Sequence, residues 1–274
     1  MARILVTGGT GALGTDLVAR LLQTPHTIRI TSRQPRPADT RLEWSQVNFE
    51  TQTDFSEALR DVDVIVHCMS NSMRSEKADV IGTQRFLADV KLAKIKNLIF
   101  ISIVGTDRIP YSYYQHKVII EKAIKESGVP YSIVRAAQFH GFIDMLLGFT
   151  KRLWLLPILP LPTNWQFQTI DTREVAAYLM PFIENGATGK IDNVAGPQML
   201  RLGNMARQWR DIQGMHKPIV RLPMFGKVSH GFAQGYNTAP DKSYGAITWA
   251  DYLQEKYTRA AKTVATAQQT NFYK

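Results

Sequence analysis

The chain has 274 residues, 45% hydrophobic and 20% charged, so it carries enough apolar side chains for a sizeable core and lacks the composition of a disordered protein. Its net charge of +10 favours anionic partners such as a phosphorylated cofactor, but the basic residues are dispersed and no zinc-spaced or other metal-ligating set occurs, which argues against nucleic acid as a partner. One cysteine, Cys68, excludes an internal disulfide and suits a reducing cytoplasm; no signal-peptide pattern opens the chain, and its most apolar stretch, 141–162, is broken by Asp144, Lys151, Arg152 and three prolines, so no stable membrane association is expected.

Strand and helix signals alternate along the first two thirds. RILVTG (3–8) reads as a strand ending in glycine, and ALGTDLVARLLQ as a helix with Leu13, Leu17, Leu21 and Leu22 on one side. HTIRITS (26–32) and LEWSQVNF (42–49) are the next strands, followed by a short helix, TDFSEALRD, capped by Thr53 or Asp54. VDVIVHCM (62–69) and NLIFISIVG (97–105) are continuous apolar runs, as strands covered on both faces should be. Between them a long helix is predicted over 75–94. A further helix begins near Ser112 and stops at Gly128, before Pro130; YSIVRA (131–136) is the sixth strand. This alternation predicts an α/β fold with a doubly wound parallel sheet of Rossmann type. After about residue 138 the rhythm loosens. The predicted organisation is a cofactor domain over 1–140 and a smaller, less regular substrate lobe over 141–274, with a segment at about 166–195 returning to the first domain.

VTGGTGALG places Gly8, Gly11 and Gly14 between the first strand and the first helix. A tight turn there lets the backbone approach a pyrophosphate, and the helix N-terminus presents unpaired N–H groups to it. Thr7, Gly8, Gly11, Ala12, Leu13 and Gly14 are therefore candidate cofactor residues. The second strand ends RITSRQPR, with Ser32, Arg33 and Arg36 and no acidic residue between Ile28 and Ala38. A carboxylate would repel a 2′-phosphate and a guanidinium binds it, so NADP(H) is expected over NAD(H), with Ser32 and Arg33 the better candidates.

Tyr113 and Lys117 are four residues apart, on one face of a predicted helix. An ammonium beside a phenol favours the phenolate, and such a tyrosine can exchange a proton with a carbonyl or alcohol oxygen as hydride moves. Tyr114, three residues from Lys117, lies near the same face. Ser102, on the preceding strand, offers a hydroxyl to the same oxygen.

The motifs TGGTGALG, DVIVHC, ISIVG, YYQHK and PYSIVRAAQFHGF, in this order over about residues 3–143, resemble the short-chain dehydrogenase/reductase superfamily, in its extended or atypical branch, and within it the NmrA-like NAD(P)-binding proteins. The resemblance implies Tyr113 as acid/base, Lys117 on the nicotinamide ribose and Ser102 polarising the substrate. It implies Asn48 and Phe49 beside the adenine, Cys68, Met69 and Ser70 beside the cofactor, and Arg135, Ala136 and Gln138 near nicotinamide or substrate. The Asn that many members use in the long helix is absent between Met73 and Lys96.

The apolar stretch after the sixth strand suggests a hydrophobic substrate cavity partly lined by Phe142, Met145 and Trp154, with Gln138 a further candidate substrate residue. Together these features predict an NADPH-dependent oxidoreductase that reduces a carbonyl or quinone-like group of a hydrophobic small molecule, working as monomer or homodimer. Two other readings keep the fold: a non-catalytic NADP(H)-sensing regulator, and an epimerase or dehydratase with tightly held cofactor.

Overall fold

A computed structural model describes residues 1–35, 41–72, 74–152 and 157–258. The chain runs β1 (Arg3–Thr7), α1 (Ala12–Leu21), β2 (Thr27–Ser32), β3 (Glu43–Gln46), α2 (Ser56–Leu59) and β4 (Val64–His67). A wide, π-type turn, Glu76–Ile81, leads into α3 (Gly82–Leu92); β5 (Asn97–Ile103), α4 (Ser112–Glu126), β6 (Tyr131–Ala136) and α5 (His140–Arg152) follow. The remainder is β7 (Leu159–Leu161), β8 (Gln166–Phe167), α6 (Thr172–Asn185), β9 (Ile191–Val194), β10 (Leu200–Arg201), α7 (Leu202–Ile212), β11 (Ile219–Arg221) and α8 (Lys227–Ala233), with a final helical stretch over 249–258.

The elements form two compact units: 1–136 with 172–194, and 137–171 with 195–274. In the first unit, seven parallel strands lie in the order β3-β2-β1-β4-β5-β6-β9. Helices cover both faces of such a sheet, so its inner strands read as unbroken apolar runs, and six successive residues of β5, Asn97–Ser102, are buried. One face of the core packs Phe49, Phe55, Phe86, Leu98, Phe100 and Ile133 together. Leu13, Leu17 and Leu21 of α1 are buried as their spacing predicts, joined by Val18. Leu22 falls one residue past the helix, at its C-cap. Asp54 accepts the Ser56 amide at 2.8 Å and so supports the start of α2. Tyr111, not Ser112, is the N-cap of α4, and no side chain bonds there.

The second unit pairs β8 with β10 antiparallel and β7 with β11 parallel. Three of its helices meet at the buried carboxylate of Asp144. Asp144 accepts from Trp209 Nε1 at 2.6 Å, Tyr257 hydroxyl at 2.7 Å and Tyr252 hydroxyl at 3.2 Å, and also from Lys256 Nζ. These bonds tie α5, α7 and the 249–258 helix together. Burial alone would raise the Asp144 pKa, but the donors from Lys256, Tyr257 and Trp209 outweigh it and hold the carboxyl below its ordinary value. His140 is structural: its ring bonds Thr169 Oγ1 at 2.8 Å and the Ile247 carbonyl at 3.1 Å. Among the described residues no helix is long and apolar enough to cross a membrane.

Candidate active site

The sheet order reverses between β1 and β4, and the carboxyl ends of the strands are level there: Thr7 pairs in register with Thr31 of β2 and His67 of β4. Parallel sheets open a ligand crevice at such a point. A cleft of about 800 Å³ lies there, lined by Gly8, Gly11, Ser32, Arg33, Asn48, Phe49, Cys68, Met69 and Ser70.

The glycines of the first turn meet specific steric demands. Gly8 has φ +67°, and a Cβ on it would stand 2.9 Å from Met69 Cα. A Cβ on Gly14 would stand 2.2 Å from the Gly8 carbonyl oxygen, so α1 can seat on the turn only without a side chain. Gly11 caps α1 with no side-chain bond, and no acidic residue occupies the first helical turn. The first-turn amides and the positive dipole end are therefore available to an anion, as a dinucleotide pyrophosphate requires. At the end of β2, Ser32 Oγ lies 3.4 Å from Thr10 Oγ1, and Arg33 is exposed on the rim. Glu50, a carboxylate in the cleft, is tied to Arg74 at 3.0 Å. The residues present fit a dinucleotide, with a cation and hydroxyls where an adenosine ribose would lie.

Several of the other expected cofactor residues also bond or pack within the scaffold. Thr7 Oγ1 bonds His67 Nδ1 at 2.8 Å, and His67 Nε2 bonds Thr83 Oγ1 at 3.0 Å, a buried chain joining β1, β4 and α3. Burial, with the nearby Lys117 charge second, pushes the His67 pKa down to about 3, so the ring is neutral. Burial pushes the Cys68 thiol up to about 12. The Phe49 ring turns into the core, 5.2 Å from the Phe55 ring. Leu13 is buried, while Ala12 is exposed at the start of α1. Arg36 lies outside the described residues.

The three tyrosines at the head of α4 separate by environment. Tyr111 is exposed. Tyr114 is buried, and burial, with its two tyrosine neighbours, drives its pKa well above the usual phenol range. Tyr113 is half-buried, with its hydroxyl 2.6 Å from Ser70 Oγ. Ser70 Oγ donates to Asp79 Oδ2 at 2.6 Å. Since a serine hydroxyl has one hydrogen, Tyr113 is the donor in its bond to Ser70. Asp79 also accepts the Asn71 amide at 2.8 Å and stands 3.7 Å from Lys117 Nζ. Lys117 Nζ is 5.6 Å from the centroid of the Tyr113 ring and 5.1 Å from that of Phe100. Asp79 and Lys117 are both buried, so each limits the other's desolvation cost.

Sequence reasoning missed Asp79. It rides in the wide turn before α3, where the backbone departs from helical register, and a periodicity search treats 75–94 as one helix. Gly82, just after the turn, packs on the loop that follows β3, where a Cβ would stand 2.4 Å from the Phe49 carbonyl oxygen.

Ser102 takes a different place from the one expected. Its hydroxyl donates to Glu121 Oε1 at 2.5 Å in the interior. Glu121 lies eight residues beyond Tyr113 on α4, and the Ser102 hydroxyl is engaged by it. The serine that meets Tyr113 is Ser70, in the segment after β4. Arg135 is likewise engaged inside: it bonds Glu121 through Nε at 2.8 Å and Nη2 at 2.7 Å, and Asp107 through Nη1 at 2.7 Å. Ala136 is buried at the end of β6. Gln138 accepts from Asn237 Nδ2 at 3.2 Å within the second unit. Phe142 and Met145 are exposed residues of α5, and Trp154 lies outside the described residues. Among the described residues no group of His, Cys, Asp or Glu could hold a metal ion.

Residues 8–141 match a family described as NAD(P)H-binding. That match spans just under half of the chain, and the seven-stranded parallel sheet with flanking helices is a Rossmann-like α/β fold. Solved structures of that fold overlay nearly the whole chain. NADPH-dependent quinone oxidoreductase QOR2 of Escherichia coli, in complex with NADPH, has TM-score 0.75 at 16% identity, covering 93% of this chain and 99% of that one. The dTDP-glucose 4,6-dehydratase of Bacillus anthracis, in complex with NAD, has TM-score 0.73 at 17% identity, covering 96% and 97%. In sequence, the photosystem II assembly factor Ycf39 of Synechocystis is 25% identical, over 81% of this chain and 71% of its own. The uncharacterized protein Rv2047c of Mycobacterium tuberculosis is 28% identical over 58% of this chain, but the match spans only 17% of that protein.

Proposed function

We propose that this NAD(P)H-binding chain is an NADPH-dependent oxidoreductase that reduces a carbonyl or quinone-like group of a hydrophobic small molecule, with Tyr113 as proton donor. The observation that carries this reading is the contact between the Tyr113 hydroxyl and Ser70, a residue of the dinucleotide cleft, with Lys117 beside the tyrosine ring. Bound NADPH would supply hydride. Tyr113 passes its proton to the oxygen that develops negative charge, and the Lys117 ammonium favours the phenolate left behind. Ser70 takes the supporting role first assigned to Ser102: its hydroxyl can turn from Asp79 to Tyr113 and stabilise the phenolate. Asp79 positions both Ser70 and Lys117. Ser32 and Arg33, with no acidic residue at the end of β2, support a preference for the 2′-phosphorylated cofactor.

A second reading is favoured by a specific observation: relatives covering 81% of the chain are named as photosystem II assembly factors. In that reading the cleft binds NADP(H) as a signal, and a partner protein reads its state.

Calorimetry with NADPH and NADH, followed by NADPH oxidation against hydrophobic ketones and quinones, tests both. The reductase reading expects tighter binding of NADPH and a turnover that falls by about 10²–10⁴ in Tyr113→Phe with cofactor affinity retained. Binding without turnover in either protein would replace it with the sensor reading.

A further inference from the structure

The second unit presents an apolar tip that neither reading uses. β11 leaves its edge with Val220, Leu222, Met224 and Phe225 exposed, Phe225 at 88%. A large aromatic held almost entirely in water is uncommon unless something covers it. The tip is built, not frayed. Ser229, itself buried, donates to the Met224 carbonyl at 2.8 Å and accepts from Trp165 Nε1 at 3.0 Å. Trp165 stacks on Phe232 of α8 with ring centroids 4.8 Å apart. Gly226, at φ +92°, turns the chain immediately after Phe225. The scaffold therefore fixes where Phe225 projects.

The charges that flank this tip along the chain have one sign. Lys217, Arg221 and Lys227 flank the apolar residues, and no Asp or Glu occurs between Asp211 and Asp241. The partner strand β7 adds no charge: from Pro157 to Ile170 the sequence contains no Asp, Glu, Lys or Arg. A second copy of this chain facing the tip would meet like charge, which opposes self-association. An apolar apex ringed by cations instead matches an anionic bilayer surface, where aromatic and aliphatic side chains enter the acyl boundary and Lys and Arg stay at the headgroups.

We propose that the Leu222–Phe225 tip docks reversibly on anionic lipid, with Phe225 and Met224 inserted and Arg221 and Lys227 on the headgroup phosphates. The contact is interfacial and salt-sensitive, distinct from a membrane span.

The test is sedimentation of the full chain with phosphatidylcholine vesicles, with and without phosphatidylglycerol, at low and high salt. The expected result is binding to the anionic vesicles alone, weakening with salt. Phe225→Ser should weaken it by about tenfold or more. Arg221→Glu and Lys227→Glu should each weaken it by about fivefold or more. Unchanged circular-dichroism melting in each variant assigns the loss to the surface. No binding to anionic vesicles at low salt would overturn the proposal. So would binding that all three variants leave intact, since the dispersed net charge would then suffice. Self-association of the wild type that Phe225→Ser abolishes, without vesicle binding, would assign the tip to a protein interface instead.

Discussion

Replacing Asp79 tests the site most directly, because the buried Lys117 depends on it. In the folded protein Asp79 accepts two hydrogen bonds, at 2.6 Å from Ser70 and 2.8 Å from the Asn71 amide, and stands 3.7 Å from Lys117 Nζ. Asp79→Asn keeps one oxygen, which can still accept the Asn71 amide, and puts an NH2 donor where Oδ2 met Ser70; Ser70 Oγ can turn to accept from it, so the main loss is the charge. Its cost is then that of a buried cation without its counter-ion, about 3–5 kcal/mol. Asp79→Ala also strands the two donors; the losses overlap, so the total exceeds the Asn value by about 1–2 kcal/mol and not by the full sum. Lys117→Met in the Asp79→Asn background removes the stranded cation and should recover about 2 kcal/mol, a coupling expected only of groups in contact. Urea unfolding followed by circular dichroism at neutral pH measures the wild type, these three variants and Lys117→Met alone, which closes the cycle, with equal m-values as the check that the same transition is compared. A cost for Asp79→Asn below about 1 kcal/mol, with no coupling to Lys117→Met, would refute the ion pair and the positioning role built on it.

Acid should destabilise the protein through His67. Its folded pKa is about 3 against 6.5 for a free ring, so the unfolded chain binds the extra proton and stability falls as pH drops between those values, at up to about 1.4 kcal/mol per pH unit. Urea titrations at several pH values should show this slope, and His67→Asn should lose it. Asp144 adds a loss at lower pH: its carboxyl is held below the ordinary value, so its contribution is complete above about pH 4 and disappears as pH falls through the depressed folded value. Asp144→Ala should cost about 3 kcal/mol at neutral pH by stranding the Trp209 and Tyr257 donors, read as a lower urea midpoint. Gly14→Ala should abolish calorimetric NADPH binding, because its Cβ would stand 2.2 Å from the Gly8 carbonyl oxygen and must push α1 off the turn; binding retained within about twofold would contradict that geometry. Cys68, with its thiol pushed up to about 12, should react with a disulfide reagent at pH 8 roughly a hundredfold or more slower than a free cysteine and regain normal reactivity in urea.

Local chemistry alone carried much of this protein. The parallel sheet was legible because strands covered on both faces must be apolar throughout, as in Asn97–Ile103. The first turn was legible because only glycine satisfies its φ and close contacts, and Gly8 and Gly14 have no alternative. Tyr113 and Lys117 were legible because helical spacing by itself brings i and i+4 together. What spacing could not convey was depth along an element and orientation between elements. Ser102 lies on the strand next to the tyrosine helix, but its height on that strand sets it against Glu121. Arg135, a charged residue beside the site in sequence, is consumed by Glu121 and Asp107. Ser70 and Asp79 belong to a segment and a wide turn without a regular period, so only the folded chain brings them to Tyr113. The amino-acid sequence by itself determined the βα alternation, the glycine-rich first turn and the tyrosine–lysine pair, since each depends on contacts within a few residues. The tertiary structure decided which serine and which carboxylate complete the site, because those partners are set by packing between elements 43 and 38 residues apart along the chain.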